Sequence, residues 1–145
     1  MEIASYREEH FAGIKALWAE VNPDDRPWNS PEIAIPMKMS VQPELFLVAL
    51  EEGNVVGTTM AGFDGHRGWL HLVAVKPSHR RRGIATRLLQ EAERRLEALG
   101  CPKINLQVLA GNTAAVNLYK SLGFDVEERV SMSRRIGRFR GASHR

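Results

Sequence analysis

A single cysteine, Cys101, is present in the 145 residues. No internal disulfide can form, and no cysteine-based zinc cluster can be assembled. Long apolar runs are missing too, none approaching the roughly 18 residues that cross a bilayer. The opening Met-Glu-Ile-Ala-Ser lacks the basic and apolar stretches of a secretory signal. A cytoplasmic setting is therefore expected. Internal repeats and linker-like segments are absent as well. The chain reads as one domain over residues 1–136, followed by a basic tail at residues 137–145.

Charge of one sign is scarce in each half. Residues 1–66 hold 4 Lys/Arg against 11 Asp/Glu, whereas residues 67–145 hold 16 against 6. That polarity suits an anionic ligand for the second half and a cationic one for the first. Solvation of opposite faces explains the counts equally well.

Hydrophobic spacing supplies the elements. Glu2–Tyr6 forms a short strand, and Phe11, Ile14, Leu17, Trp18 and Val21 recur at helical intervals. A turn-rich loop, Asn22 to Asn29, follows. Ser30 and Pro31 open a second helix that Pro36 keeps brief or kinked. Leu45–Leu50, Asn54–Phe63 and Trp69–Val75 read as a meander turning at Glu52-Gly53 and Asp64-Gly65-His66. Gly83–Leu99 is the clearest helix, stopped by Gly100. Lys103–Leu109 is a strand, Thr113–Leu122 a short helix, and Phe124–Glu128 with Val130–Ile136 a final hairpin.

Most chemical information lies where Val73-Ala74-Val75 runs through a basic loop into the helix at Gly83. A helix start leaves amide donors unpaired and carries partial positive charge. Gly83 lets backbone approach an anion, Ala85 obstructs little, and Arg80, Arg81 and Arg82 add charge. Ile84 and Thr86 complete the first turn. The combination makes a pyrophosphate site. It is neither a Gly-Lys-Ser/Thr nucleotide loop nor a three-glycine dinucleotide loop. On its own, the arginine cluster also fits a solvated loop.

A second constellation spans Asn112 to Phe124. Asn112 and Tyr119 are seven apart, so a helix returns both to one face, with Ala115 leaving room between them. Read alone, this is also an N-cap followed by an amphipathic tyrosine.

Taken together and in this order, the two segments resemble the GNAT superfamily of acetyltransferases. Arg80, Gly83 and Ala85 match its Gln/Arg-x-x-Gly-x-Gly/Ala loop. Asn112, Ala115, Tyr119, Gly123 and Phe124 match its Asn-x-x-Ala-x-x-x-Tyr-x-x-x-Gly-Phe segment. Arg26-Pro27-Trp28-Asn29, Asp64-Gly65-His66-Arg67-Gly68 and Gly100-Cys101-Pro102-Lys103-Ile104 look like the small bacterial members of the YpeA type. The resemblance implies a three-layer α/β fold, with a mixed sheet of about seven strands and about four helices. Its fourth and fifth strands would splay apart.

The same resemblance implies acetyl-CoA as cosubstrate, no metal, and an N-acetyltransferase working by direct attack in a ternary complex. Backbone at Val73, Ala74 and Val75 would line the pantetheine arm, and amides from Arg80 to Thr86 would hold the pyrophosphate. Asn112 would bond the pantetheine arm, Ala115 would leave room for it, and Tyr119 would act as general acid. Many members place a glutamate base on the fourth strand, but Trp69–Val75 contains no carboxylate. His71 is the nearest titratable group, with His66 and Glu127 as weaker candidates. The family's acceptor wall corresponds here to Glu20, Asp24, Asp25, Arg26, Trp28 and Glu32, with His66 near the rim. Its acidity suits a cationic acceptor, although an acidic surface loop reads the same way. Small amines, amino acids and protein N-termini all stay open, as do monomer and homodimer.

Two rival readings exist. One is an acyl-CoA-binding sensor without catalysis. The other is nucleic-acid binding through Arg80–Arg82 with Arg134, Arg135, Arg138, Arg140 and Arg145, which no accompanying motif supports. No membrane partner is expected.

Overall fold

The protein is seen in a computed structural model that describes residues 1–23 and 25–142. Asp24 of the acidic wall and Arg145 of the basic inventory lie outside the described residues. The chain forms two compact units, Met1–Gln107 and Val108–Arg145.

In the first unit, β1 (Glu2–Ser5) leads to α1 (Phe11–Val21) and α2 (Pro31–Met39). Then come β2 (Phe46–Glu51), β3 (Asn54–Phe63), β4 (Gly68–Val75), α3 (Ile84–Ala98) and β5 (Ile104–Leu106). The sheet runs β1-β2-β3-β4-β5, with antiparallel pairing up to β4 and a parallel β4–β5 pair. At the first hairpin turn, Glu52 and Gly53 have φ of 51° and 81°. Two consecutive positive φ values are what a two-residue turn between twisted strands demands.

Strand β2 is the middle of the core, buried from Phe46 to Leu50. Two adjacent residues of β3 show how it is covered. Thr58 meets Trp18 of α1, whereas a side chain at Gly57 would strike Leu88 and Ile84 of α3. Neighbouring strand residues point to opposite faces, so α1 and α3 sandwich the sheet. The expected three layers are present.

Helix α2 is short, as Pro36 foretold, but continuous through that proline. Helix α3 ends where Gly100 donates to the Glu97 carbonyl (2.9 Å) and Cys101 to Leu96 (3.1 Å). This paired closure uses the positive φ of Gly100.

The sheet has five strands among the described residues, not about seven. In the second unit, α4 (Thr113–Ser121) forms as expected, and the described residues of the tail hold a 3-10 turn at Gly137–Phe139. Neither half of the expected final hairpin is a strand. The reason lies in the turn. Pairing 124–128 with 130–136 leaves one connecting residue, Arg129, where even the tightest common hairpin needs two. Instead, the Arg129 amide folds back onto the Glu127 carbonyl at 3.0 Å. Strand β5 is also shorter than the alternation of 103–109 suggests.

One irregularity of β4 positions everything that follows. Thr58 pairs with Ala74 and Met60 with His71, so Thr59 faces two residues, Leu72 and Val73. This is a β-bulge. Leu72 takes a φ of 51°, a strained conformation for a branched side chain. Its carbonyl accepts the Thr58 hydroxyl at 2.9 Å, and Thr58 Oγ1 accepts the Trp18 indole N–H at 2.9 Å. Thr58 is wholly buried. Replacing Thr58 with Val should therefore orphan two groups, the indole N–H and the Leu72 carbonyl, at about 1–3 kcal/mol each. Urea unfolding should show a lower midpoint for Thr58→Val and recovery in Thr58→Ser.

Candidate active site

Strands β4 and β5 pair only from Gly68↔Ile104 to Leu70↔Leu106. Beyond Leu70, β4 continues for five residues with no β5 partner. The Lys76 amide donates to the Val56 carbonyl of β3 at 2.8 Å. Backbone groups alternate between the two sides of a strand, so Ala74 shares that direction. Val73 and Val75 then present their N–H and C=O groups to the side that β5 has left. Without the bulge, the alternation would be the opposite.

This open edge runs through the 3-10 turn Pro77–His79 into the N-terminus of α3. Gly83 is the N-cap with φ 76°, and no side chain caps the helix. The first intrahelical bond is from Arg87 to Gly83 at 3.0 Å, so the amides of Ile84, Ala85 and Thr86 lack an intrahelical acceptor. Nothing lies within 4 Å of where a Gly83 side chain would stand. Arg81 adopts a left-handed φ of 64°, and Arg80 to Arg82 are exposed. Uncapped donors, open space and cationic charge coincide there, which is the donor set a diphosphate requires.

Glu51, at the end of β2, escaped the sequence reading. Its Oε1 lies 3.6 Å from His79 Nε2 and 3.7 Å from Arg82 Nη1. The carboxylate thus braces the loop from behind. Only tertiary folding brings residue 51 to residue 82, and no local pattern announces it.

Asn112, Ala115 and Tyr119 fall in the second unit. Asn112 Oδ1 caps α4 by accepting the Ala115 amide at 3.1 Å. The Tyr119 ring meets Phe124 edge-on, 5.8 Å between centroids. Phe124 is placed there by its backbone N–H, which donates a hydrogen bond to the Tyr119 carbonyl at 3.0 Å, and by the left-handed Gly123. Burial raises the Tyr119 phenol above its ordinary value, so at neutral pH it holds its proton.

The chain is similar along most of its length to known acetyltransferases. The model of the Acetyltransferase (GNAT) family matches residues 6–124. This chain belongs to the GNAT family. An acetyltransferase of Sodalis glossinidius is 43% identical over 130 residues, covering 90% of this chain and 91% of its own. One from Pectobacterium atrosepticum is 40% identical over 136 residues, covering 94% and 96%. Among solved structures, AAC(6')-Iy with a CoA-linked acetylneamine analogue superposes with a TM-score of 0.78 at 20% identity. It covers 94% of this chain and 98% of its own, which speaks for the fold alone. The ribosomal-protein-S18-alanine N-acetyltransferase of Escherichia coli gives a TM-score of 0.70 at 25% identity, over 86% and 77%. The protein is thus a GNAT-family acetyltransferase.

On β4 of this GNAT domain, His71 stacks beside Trp69, the rings 6.3 Å apart and 8° from parallel. The imidazole keeps an exposed surface, yet its setting favours the neutral form. Desolvation lowers its pKa first, and the positive charge of Lys38 lowers it further.

The residues assigned to the acceptor wall are bound up locally. Asp25 Oδ1 accepts the Arg26 amide (2.8 Å) and Asn29 Nδ2 (2.9 Å). Glu32 pairs with Lys15 at 2.9 Å. Asp64 holds its turn by accepting the amides of His66 (2.8 Å) and Arg67 (2.7 Å). Trp28 is half-buried in the 3-10 turn Pro27–Asn29, and His66 is exposed. No cluster of three or more potential metal ligands occurs among the described residues, and no described helix is long and apolar enough to cross a membrane.

A branched residue at Gly83 must adopt left-handed backbone, at about 1–2 kcal/mol, and would cover the open donors. Gly83→Val is expected to weaken acetyl-CoA binding by at least about tenfold, measured by calorimetry, with far-ultraviolet circular dichroism unchanged.

Proposed function

We propose that residues 1–136 act as one domain that transfers an acetyl group from acetyl-CoA to a primary amine by direct attack in a ternary complex. One observation carries the reading. The unpaired edge of β4 at Val73 and Val75 leads without interruption into the uncapped start of α3. An extended amide-bearing arm with a diphosphate at one end fits a strand edge followed by a cluster of free amides.

In this reading the amides of Ile84 to Thr86, with Arg80 to Arg82, hold the diphosphate, and Ala85 leaves it room. Asn112 and Ala115 flank the arm. The Val73 N–H faces the thioester carbonyl and stabilises the oxyanion that forms as the amine attacks. A C–N bond forms and the C–S bond breaks. His71 receives the proton lost by the amine nitrogen, directly or through water. Tyr119 gives its proton to the departing sulfur. A thiolate has a proton affinity near 8.5, well below that of tyrosine at about 10, so the phenol assists mainly by hydrogen bonding and transfers its proton late.

A lysine-like amine is mostly charged at pH 7, and removing its proton costs roughly 4–5 kcal/mol against about 1 kcal/mol for an α-amine. A weak base such as neutral imidazole suits the second. Trp28, Asp25 and His66 are proposed to border the acceptor.

A panel of amines and peptides with acetyl-CoA, followed by free thiol, tests the activity. Amine-dependent thiol release is expected, and binding without release would reject transfer. Tyr119→Phe should reduce turnover about 10²–10⁴-fold while leaving acetyl-CoA affinity nearly intact. The base prediction has a definite sign. Because the His71 pKa is lowered, the imidazole stays neutral down through pH 6.5. Activity should therefore fall on an acid limb lying below 6.5, and His71→Gln should remove that limb from the kcat/KM profile.

A further inference from the structure

Lys38, in the last turn of α2, has no role in the scheme above. Its ammonium reaches over the sheet at Gly62. A Cβ built on that glycine would stand 3.7 Å from Lys38 Nζ, so the absent side chain provides the space the ammonium borders. The β3–β4 register fixes what lies alongside. Gly62 pairs with Trp69, and Met60 with His71. Directly opposed residues share a face, so Lys38, Trp69 and His71 stand on one side of the sheet. Thr58 and Trp18 identify it as the side of α1. Desolvation favours the neutral imidazole of His71, and the positive charge of Lys38 adds to that effect.

The ammonium is half-buried, and among the described residues it has neither a hydrogen-bond partner nor a carboxylate within 4 Å. Glu44 acts only through its field, which desolvation outweighs. Nearby Gln42 is committed elsewhere, its carboxamide forming a two-point bond to the Phe63 backbone, both arms 2.9 Å. A partly desolvated cation beside a neutral base calls for an anion that arrives with the substrate.

We propose that Lys38 is a specificity-determining residue that binds the carboxylate of an α-amino-acid acceptor while His71 faces its amine. The inference rests on the acetyltransferase reading and narrows its acceptor class. Gly62, which the Lys38 ammonium borders, and His71 are one strand and two residues apart on the same face of the sheet, a backbone diagonal of about 8 Å. A compact acceptor that carries its carboxylate close to its amine fits two groups set so near each other. A single ammonium near the negative end of a helix also matches a monoanion better than a phosphate dianion.

The test compares α-amino acids with their α-amides, ω-amino acids and phosphoethanolamine, in the acetyl-CoA thiol-release assay. The free acids should exceed their amides by about 10–100-fold in kcat/KM, the usual worth of a hydrogen bond to a charged group. Lys38→Met should collapse that ratio to near unity, whereas Lys38→Arg, which keeps the charge, should retain a preference. By NMR titration, Lys38→Met should also raise the His71 pKa, which shows that the variant is folded and that the two groups are neighbours. Equal use of acids and amides, a ratio unmoved by Lys38→Met, or a preference for phosphoethanolamine would overturn the assignment and leave the acetyltransferase reading standing. Thiol release with none of these amines and no peptide would overturn both.

Discussion

A tryptophan N–H, a threonine hydroxyl and a leucine carbonyl form a buried chain across three elements of this protein. The chain runs from Trp18 through Thr58 to Leu72. A bulge reverses the direction of every later backbone group on its strand, but it also removes a carbonyl from its normal ladder partner. Buried and unanswered, that carbonyl would strongly disfavour the conformation. Thr58 answers it from the neighbouring strand, and Trp18 holds the threonine from the helix above. The packing of α1 on the sheet and the exposure of amides at Val73 and Val75 are consequently one feature, not two.

The acidic and basic halves of the sequence take different forms once folded. Much of the negative charge is spent on turn geometry and surface pairing, as at Asp25, Asp64 and Glu32. The basic side is less consumed. Arg80 and Arg81 stand exposed, and Lys38 lies half-covered on the sheet. The fold therefore leaves cations available at both ends of β4, the arginines beside the uncapped start of α3 and Lys38 on the face of the imidazole.

Much of this was legible in residue order because it was local. The periodicity of α3, the positive-φ turn at Glu52-Gly53, the N-cap at Asn112 and the glycine at residue 83 each announce themselves within a few residues. Two kinds of feature were not. The final hairpin was read from β-prone side chains alone, and the connecting residues could not close it. Glu51, Thr58 and Lys38 matter through partners 14 to 40 positions away, and nothing in their own neighbourhoods distinguishes them from an exposed glutamate, a strand threonine and a helix-end lysine. Family resemblance carried the catalytic assignment further than spacing could, since the matching loop and asparagine–tyrosine segments are each unremarkable in isolation.

The carboxylate of Glu51 gives the arginine loop a property of its own. Three consecutive guanidinium groups repel one another, and an empty anion site built from them would tend to spring open. With Glu51 touching Arg82 and His79 at the edge of ion-pair distance, the loop keeps a resident counter-charge, held loosely enough to be exchanged. Under the proposed reading, an arriving phosphate would swap one negative neighbour for another, and the cradle would stand ready between catalytic cycles without being rebuilt each time product leaves.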